Sequence, residues 1–195
     1  MILVVDHYDS FTFNLVQLIE SLGYETEVLK SDERSASELI GMRPEGVILS
    51  PGPGRPEEAG CFPELLRTLP EEIPLLGVCL GHQALGVSAG GRVERASPVH
   101  GKASAVHHTG TGIFEGVEDP FEAARYHSLV VLADELPDAL ELTAWTEDGL
   151  VMAVQHRHLP RFGVQFHPES ILTPEGPKIV ESFLKLTRQR PEGAN

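Results

Sequence analysis

The sequence predicts an α/β fold: an open, mostly parallel sheet with helices on both faces and an added antiparallel strand region in the second half. Three observations carry that expectation. Up to Gly90, short apolar runs alternate with helix-like segments, the pattern of buried parallel strands joined by crossover helices. Beyond Gly90-Gly91 the strand-like runs follow one another in quick succession. The 195 residues are 41% hydrophobic and 23% charged, an ordinary globular balance, and no internal repeat or long linker divides them. One domain over 1–195 is expected.

Ile2-Leu3-Val4-Val5 is β-branched and apolar throughout, a buried strand ending at Asp6. Phe11, Leu15, Leu18, Ile19 and Leu22 then share one helical face, and Gly23 stands where a C-terminal cap belongs. Glu25 to Leu29 reads as a strand and Ser35 to Gly41 as a short helix. Val47-Ile48-Leu49 is a strand stopped by Ser50-Pro51-Gly52-Pro53-Gly54. Phe62 to Leu69 is helical, Leu75 to Val78 a strand, and His82 to Ala89 a helix. Strands follow around Val93, Ala105-Val106, Leu129 to Leu132, Leu140 to Ala144, Met152 to Val154 and Phe162 to Phe166. Thr173-Pro174 supplies a cap and a first helical residue for a closing helix through Ile179, Val180, Phe183, Leu184 and Leu186, and the polar tail 189–195 is expected to fray.

Lys plus Arg number 15 against 29 Asp plus Glu, a formal net charge of −14. That balance argues against nucleic acid and anionic membranes, both polyanionic. No apolar run approaches the roughly 20 residues of a membrane span. Met1 to Asp6 lacks the basic flank and long apolar core of a signal peptide. Two cysteines build neither a disulfide framework nor a metal knuckle by themselves. A soluble, cytoplasmic protein is expected.

The strongest local signal is Gly77-Val78-Cys79-Leu80-Gly81, where a strand gives way to a helix. A nucleophile on so sharp a turn requires small neighbours, and a helix N-terminus favours thiolate over thiol. The Leu80 N–H could receive a developing oxyanion. Alone, the pentapeptide fits a structural cysteine equally well. His167-Pro168-Glu169 follows the strand-like Phe162 to Phe166 and could supply a base with its orienting carboxylate. Glycine-rich Ser50 to Gly54 could bring backbone N–H groups close to a ligand. Of the nine histidines, the pairs His107-His108 and His156/His158 lack further ligands at metal spacing, so solvated surface is expected there and no metal site. Glu57-Glu58 and Glu71-Glu72 read as solvated faces, and Cys61 as a bystander.

These residues together resemble a class I, triad-type glutamine amidotransferase, with a flavodoxin-like sheet. The likeness is closer to one branch. Asp9 to Asn14, His100-Gly101-Lys102, Arg125 to Leu129 and His167 to Thr173 are similar to the glutaminase component of anthranilate synthase and its counterpart in aminodeoxychorismate synthase. The resemblance runs over about residues 1 to 186. It implies that Cys79 is the nucleophile, His167 its base and Glu169 the orienter. It further implies that Gly52, Pro53, Gly54 and Leu80 bind glutamine or its oxyanion, while Gln83, Ser128 and Leu129 hold its amino-acid end. Glutamine is then the substrate, and the ammonia passes to a chorismate-binding synthase subunit. No cofactor belongs to this chain, and any Mg²⁺ sits on that partner. Segments near Tyr8 to Phe13 and His100 to Ser104 are expected to face the partner. His7, Cys61 and Thr109 depart from the family pattern, none of them at a triad position.

Two rivals stand beside this reading. A stand-alone thiol hydrolase would turn over peptides or polyglutamyl substrates without a partner. A non-catalytic interaction subunit would be indifferent to replacement of Cys79. If His167 is the base, the rate should fall below neutral pH as it protonates.

Overall fold

All four strands expected in the first half form, and they lie parallel. In the computed structural model, which describes residues 1–96 and 102–188, these are β1 (Ile2–Asp6), β2 (Thr26–Lys30), β3 (Gly46–Leu49) and β4 (Leu75–Val78). Between them run α1 (Thr12–Ser21), α2 (Ala36–Gly41) and α3 (Phe62–Thr68). After β4 come α4 (Leu80–Ser88), β5 (Val93–Arg95), β6 (Lys102–His108), β7 (Phe121–Arg125), β8 (Leu129–Val131), β9 (Leu140–Thr146), β10 (Val151–His156), β11 (Arg161–Val164) and α5 (Gly176–Arg188).

One nine-stranded sheet runs β2-β1-β3-β4-β11-β10-β9-β6-β7, and β5 pairs with β8 in a separate ribbon. β11 returns to pair parallel with β4, Phe162 opposite Leu76 and Val164 opposite Val78. From β11 outward the pairing becomes antiparallel, first with β10, then β9, β6 and β7. The fold is thus the expected parallel sheet with an antiparallel extension. Among the described residues no helix is long and apolar enough to cross a membrane.

Alternation along each buried strand builds two cores, one per face. Ile2 and Val4 of β1, Ile48 of β3 and Val78 of β4 meet Leu15 and Ile19 of α1 and Ile179, Phe183 and Leu184 of α5. Leu3, Val5, Val47, Leu49 and Leu75 point the other way, onto α2, α3 and α4. α2 is only six residues long but carries a complete capping box, Ser35 Oγ accepting from the Glu38 N–H while the Glu38 carboxylate accepts from the Ser35 N–H.

Several expectations need correction. α4 begins at Leu80, two residues before the expected start. Phe11 caps α1 instead of packing within it. β7 was not anticipated. The last strand stops at Val164, and α5 begins at Gly176. Thr173 caps no helix; its hydroxyl is committed to the turn that follows β11. His108 is buried, its ring stacked on Phe114 and its Nε2 beside the Glu118 carbonyl, because its strand turns that side inward. His100 and Gly101 and the tail 189–195 lie outside the described residues, as does the Lys102 side chain.

Candidate active site

The carboxyl ends of β1, β3, β4 and β11 converge on one edge of the sheet, where open α/β sheets place their sites. Cys79 follows β4 directly, at φ +52° and ψ −97°, a left-handed conformation that costs a non-glycine residue about 1–3 kcal/mol. The flanking glycines show why the turn tolerates nothing larger. A Cβ on Gly77 would lie 2.4 Å from the Gly81 backbone, and one on Gly81 would lie 2.5 Å from the Leu49 carbonyl oxygen. α4 is therefore drawn tightly over the strand ends and carries Cys79 at its N-cap. The residue is 8% exposed.

His167 and Glu169 arrive from the end of β11. Nδ1 of His167 lies 2.6 Å from Glu169 Oε1, and both side chains are almost wholly buried, at 3% and 0% exposure. A carboxylate only accepts, so Nδ1 carries a proton and donates it to Glu169, which leaves Nε2 as the other ring nitrogen. Nε2 makes no hydrogen bond of normal geometry among the described residues. Unliganded sites often show such loose geometry. Burial alone would push the His167 imidazole down, but the adjacent Cys79 sulfur and the Glu169 carboxylate outweigh it and raise it to about 10. The rings of Phe11 and Tyr126 stand edge-on to the imidazole, centroids 5.3 Å and 5.0 Å away.

The turn bearing His167 and Glu169 is held by its surroundings. Thr173 Oγ1 donates to the His167 carbonyl at 2.8 Å and accepts from the Ala124 N–H at 2.9 Å. The His167 N–H in turn donates to the Ala124 carbonyl. β7 is thus stitched to the turn by two hydrogen bonds, and the threonine hydroxyl ties the turn to itself with a third. On the other side α5 presses in, and a Cβ on Gly176 would lie 1.9 Å from the Pro168 carbonyl oxygen.

A cavity of about 200 Å³ opens beside Cys79, lined by Gly52, Pro53, Gly54, Leu80, Gln83, Tyr126, His127, Ser128 and Leu129. Every residue expected to bind glutamine stands in that wall. Gly52 approaches β1 so closely that a Cβ there would lie 2.6 Å from the His7 carbonyl oxygen, and the His7 N–H donates to Ser50 Oγ at 2.8 Å. Gly54 sits at φ +82°. Across the cavity the Leu129 carbonyl lies 3.0 Å from Gln83 Nε2, which donates to it, and 3.1 Å from His127 Nδ1.

Three residues at the site carried no assigned role in the sequence: Tyr126, His127 and Gln165. Tyr126 and His127 sit within the Arg125 to Leu129 motif, but nothing in their spacing separates wall from packing. Gln165 did leave a signal, an uncharged polar residue within the apolar run Phe162 to Phe166. It is fully buried, and its Nε2 lies 3.6 Å from Cys79 Sγ. His127 is pushed down to about 4 by burial and by the Arg125 guanidinium. The wholly buried His82 is pushed down to about 3 by burial. Among the described residues no three His, Cys, Asp or Glu side chains gather as a metal site. Cys61 lies away at the N-cap of α3, its thiol raised to about 11 by burial.

Residues 3–186 match the family described as glutamine amidotransferase class-I. This chain belongs to that family. An anthranilate synthase component 2 from Azospirillum brasilense is 50% identical over 191 residues, covering 97% of each chain. One from Mycobacterium tuberculosis is 52% identical over 187 residues, 94% of this chain and 81% of that protein. An aminodeoxychorismate synthase component 2 from Serratia marcescens is 48% identical over 189 residues, 94% of this chain and 99% of that one. A crystal structure from Thermoplasma acidophilum, described provisionally as one subunit of a GMP synthase, superposes with a TM-score of 0.85 at 27% identity. That superposition spans 96% of this amidotransferase and 93% of the other chain.

Proposed function

We propose that this amidotransferase is the glutaminase component of an anthranilate synthase, releasing ammonia from glutamine for a chorismate-binding synthase subunit. The observation that carries the chemistry is Cys79 at a strained strand-to-helix turn, facing His167–Glu169 and opening onto the cavity beside Gln83. Identity near half with component 2 proteins over almost the whole chain supports the pathway. Cys79 Sγ attacks the side-chain amide carbon of glutamine. Backbone N–H groups at Leu80 and in the Gly52 to Gly54 loop receive the oxyanion. The His167 imidazolium gives its Nε2 proton to the departing nitrogen, so ammonia leaves with the C–N bond. Neutral His167 then takes a proton from water, whose oxygen attacks the thioester, and glutamate departs as the C–S bond breaks, leaving the Cys79 sulfur beside the re-formed His167 imidazolium for the next turnover. Glu169 holds the imidazole by Nδ1 throughout. Any Mg²⁺ requirement belongs to the partner subunit.

The test is to assay the chain with its synthase partner, chorismate and Mg²⁺, supplying either glutamine or ammonia. Cys79→Ser should abolish anthranilate formation from glutamine and leave the ammonia-driven rate intact. Glutamine-dependent synthesis surviving in that variant sinks the mechanism. The Serratia relative supports a second outcome: aminodeoxychorismate as product would keep the Cys79 chemistry and change the pathway.

A further inference from the structure

Gln165 lies outside the triad and outside the cavity wall, yet its amide reaches the nucleophile. We infer that Gln165 is a further catalytic residue, a fixed hydrogen-bond donor to the Cys79 sulfur whose orientation is dictated by Gln83. The inference rests on Cys79 being the nucleophile and deepens that reading.

The argument turns on which end of the Gln165 amide faces the sulfur. The Leu129 carbonyl can only accept, so the Gln83 atom 3.0 Å from it must be the NH₂ group. That same nitrogen lies 3.2 Å from the Gln165 side chain. Two NH₂ groups would repel there, so Gln165 presents its oxygen to Gln83. Its own NH₂ is thereby turned onto Cys79 Sγ, at 3.6 Å. The chain of donors thus runs from Gln165 to sulfur at one end and from Gln83 to the Leu129 carbonyl at the other. Its members are buried, with Gln165 at 0% and Gln83 at 3% exposure, and in such surroundings linked hydrogen bonds polarise one another. The Gln165 backbone is pinned too, its N–H donating to the Met152 carbonyl at 2.8 Å.

A donor so placed favours sulfur when it carries charge, before attack and again when the thioester breaks. His167 supplies the proton transfers; Gln165 supplies a neutral donor that needs no proton of its own. Because the donor's orientation passes through Gln83, the residue that lines the glutamine cavity also sets the hydrogen bond on the nucleophile.

Gln165→Leu and Gln165→Glu separate the outcomes. The first removes the donor at similar volume. The second keeps an acceptor for Gln83 but sets a carboxylate beside the sulfur. The chain's alkylation by iodoacetamide would be followed across pH, and glutaminase kcat and KM measured with the partner subunit bound. Both variants should reach half-maximal alkylation of Cys79 at higher pH than the unmodified chain, Gln165→Glu more so. Loss of one hydrogen bond to a charged group predicts a kcat fall of roughly 10- to 100-fold, with KM changed far less. Circular dichroism checks that each variant folds, and the isosteric Gln165→Glu decides if Gln165→Leu does not. Unchanged alkylation profile and kcat in a folded variant would overturn the inference while leaving the glutaminase reading intact. If instead the unmodified chain lacks glutaminase activity with its partner, the functional reading fails, and the alkylation profiles still decide the hydrogen bond.

Discussion

Gly176→Ala tests whether the first turn of α5 positions the triad. Alanine usually improves a helix interior over glycine, by about 1 kcal/mol, and Gly176 needs no left-handed backbone. Here the added methyl would lie 1.9 Å from the Pro168 carbonyl oxygen, whereas ordinary contact begins near 3.4 Å. Something must retreat by about 1.5 Å, the difference between those distances. The obstructing atom is backbone, in the residue between His167 and Glu169. Overpacking of this kind costs about 1–3 kcal/mol, which for a chain of this length lowers Tm by roughly 3–10 °C. A displacement near 1 Å at a catalytic group can cost about 100-fold in rate. The assays are a thermal melt and glutamine-dependent product formation with the partner bound, with the ammonia-driven rate as control. Expected are a lower Tm, a kcat reduced by about two orders of magnitude and an unchanged ammonia-driven rate. Full glutaminase activity in Gly176→Ala would refute the argument that α5 holds the His167-Pro168-Glu169 turn in place.

Two further outcomes follow from the same turn. Glu169→Gln removes one of the two groups that hold the His167 imidazole high, so the alkaline limb of kcat/KM should move to lower pH. A profile between about pH 6 and 10 with its limb unmoved counts against that coupling. Thr173→Val keeps the shape but deprives the Ala124 N–H and the His167 carbonyl of their shared partner. The His167 carbonyl keeps the Ser170 N–H, but the buried Ala124 N–H loses its acceptor, which should cost about 2 kcal/mol, read as a lower denaturation midpoint at unchanged slope, and an unaltered midpoint would contradict it.

The parallel half of the sheet was legible because its signals are local. Ile2 to Val5 and Leu75 to Val78 are apolar at every position, which only a strand covered on both faces requires. Cys79 was legible because its glycines are forced by close approach, and Gly77 and Gly81 indeed touch backbone. What failed to show were features set by distant partners. β7 reads Phe-Glu-Ala-Ala-Arg, with small residues of no strand preference; it is a strand because β6 pairs with it. Thr173 next to Pro174 has the form of a helix cap, but a threonine hydroxyl bonds whatever the fold presents, here Ala124 and His167. His108 looked solvated for the same reason, since nothing local places Phe114 over its ring.

The site's histidines show how one fold separates acid from spectator. His82, His127 and His167 are all buried, and desolvation pushes each toward the neutral form. They part company through their neighbours. His127 has the Arg125 guanidinium 3.2 Å from its Nε2, so charge reinforces burial and the ring stays neutral, fit to organise the cavity wall. His82 lies against the Gly163 backbone, and the nearby His127 adds to burial in pushing it down. Of the three, His167 alone is set between a carboxylate and the Cys79 sulfur, and alone is raised. That reverses the expectation drawn from an ordinary histidine. A group raised to about 10 keeps its proton through neutrality and loses it only as pH climbs. In the proposed mechanism His167 therefore enters as an acid facing Cys79, protonates the departing ammonia, and becomes a base only after that proton is spent. The fall in rate that His167 itself imposes belongs on the alkaline side, and Cys79 and Glu169 together set where it begins.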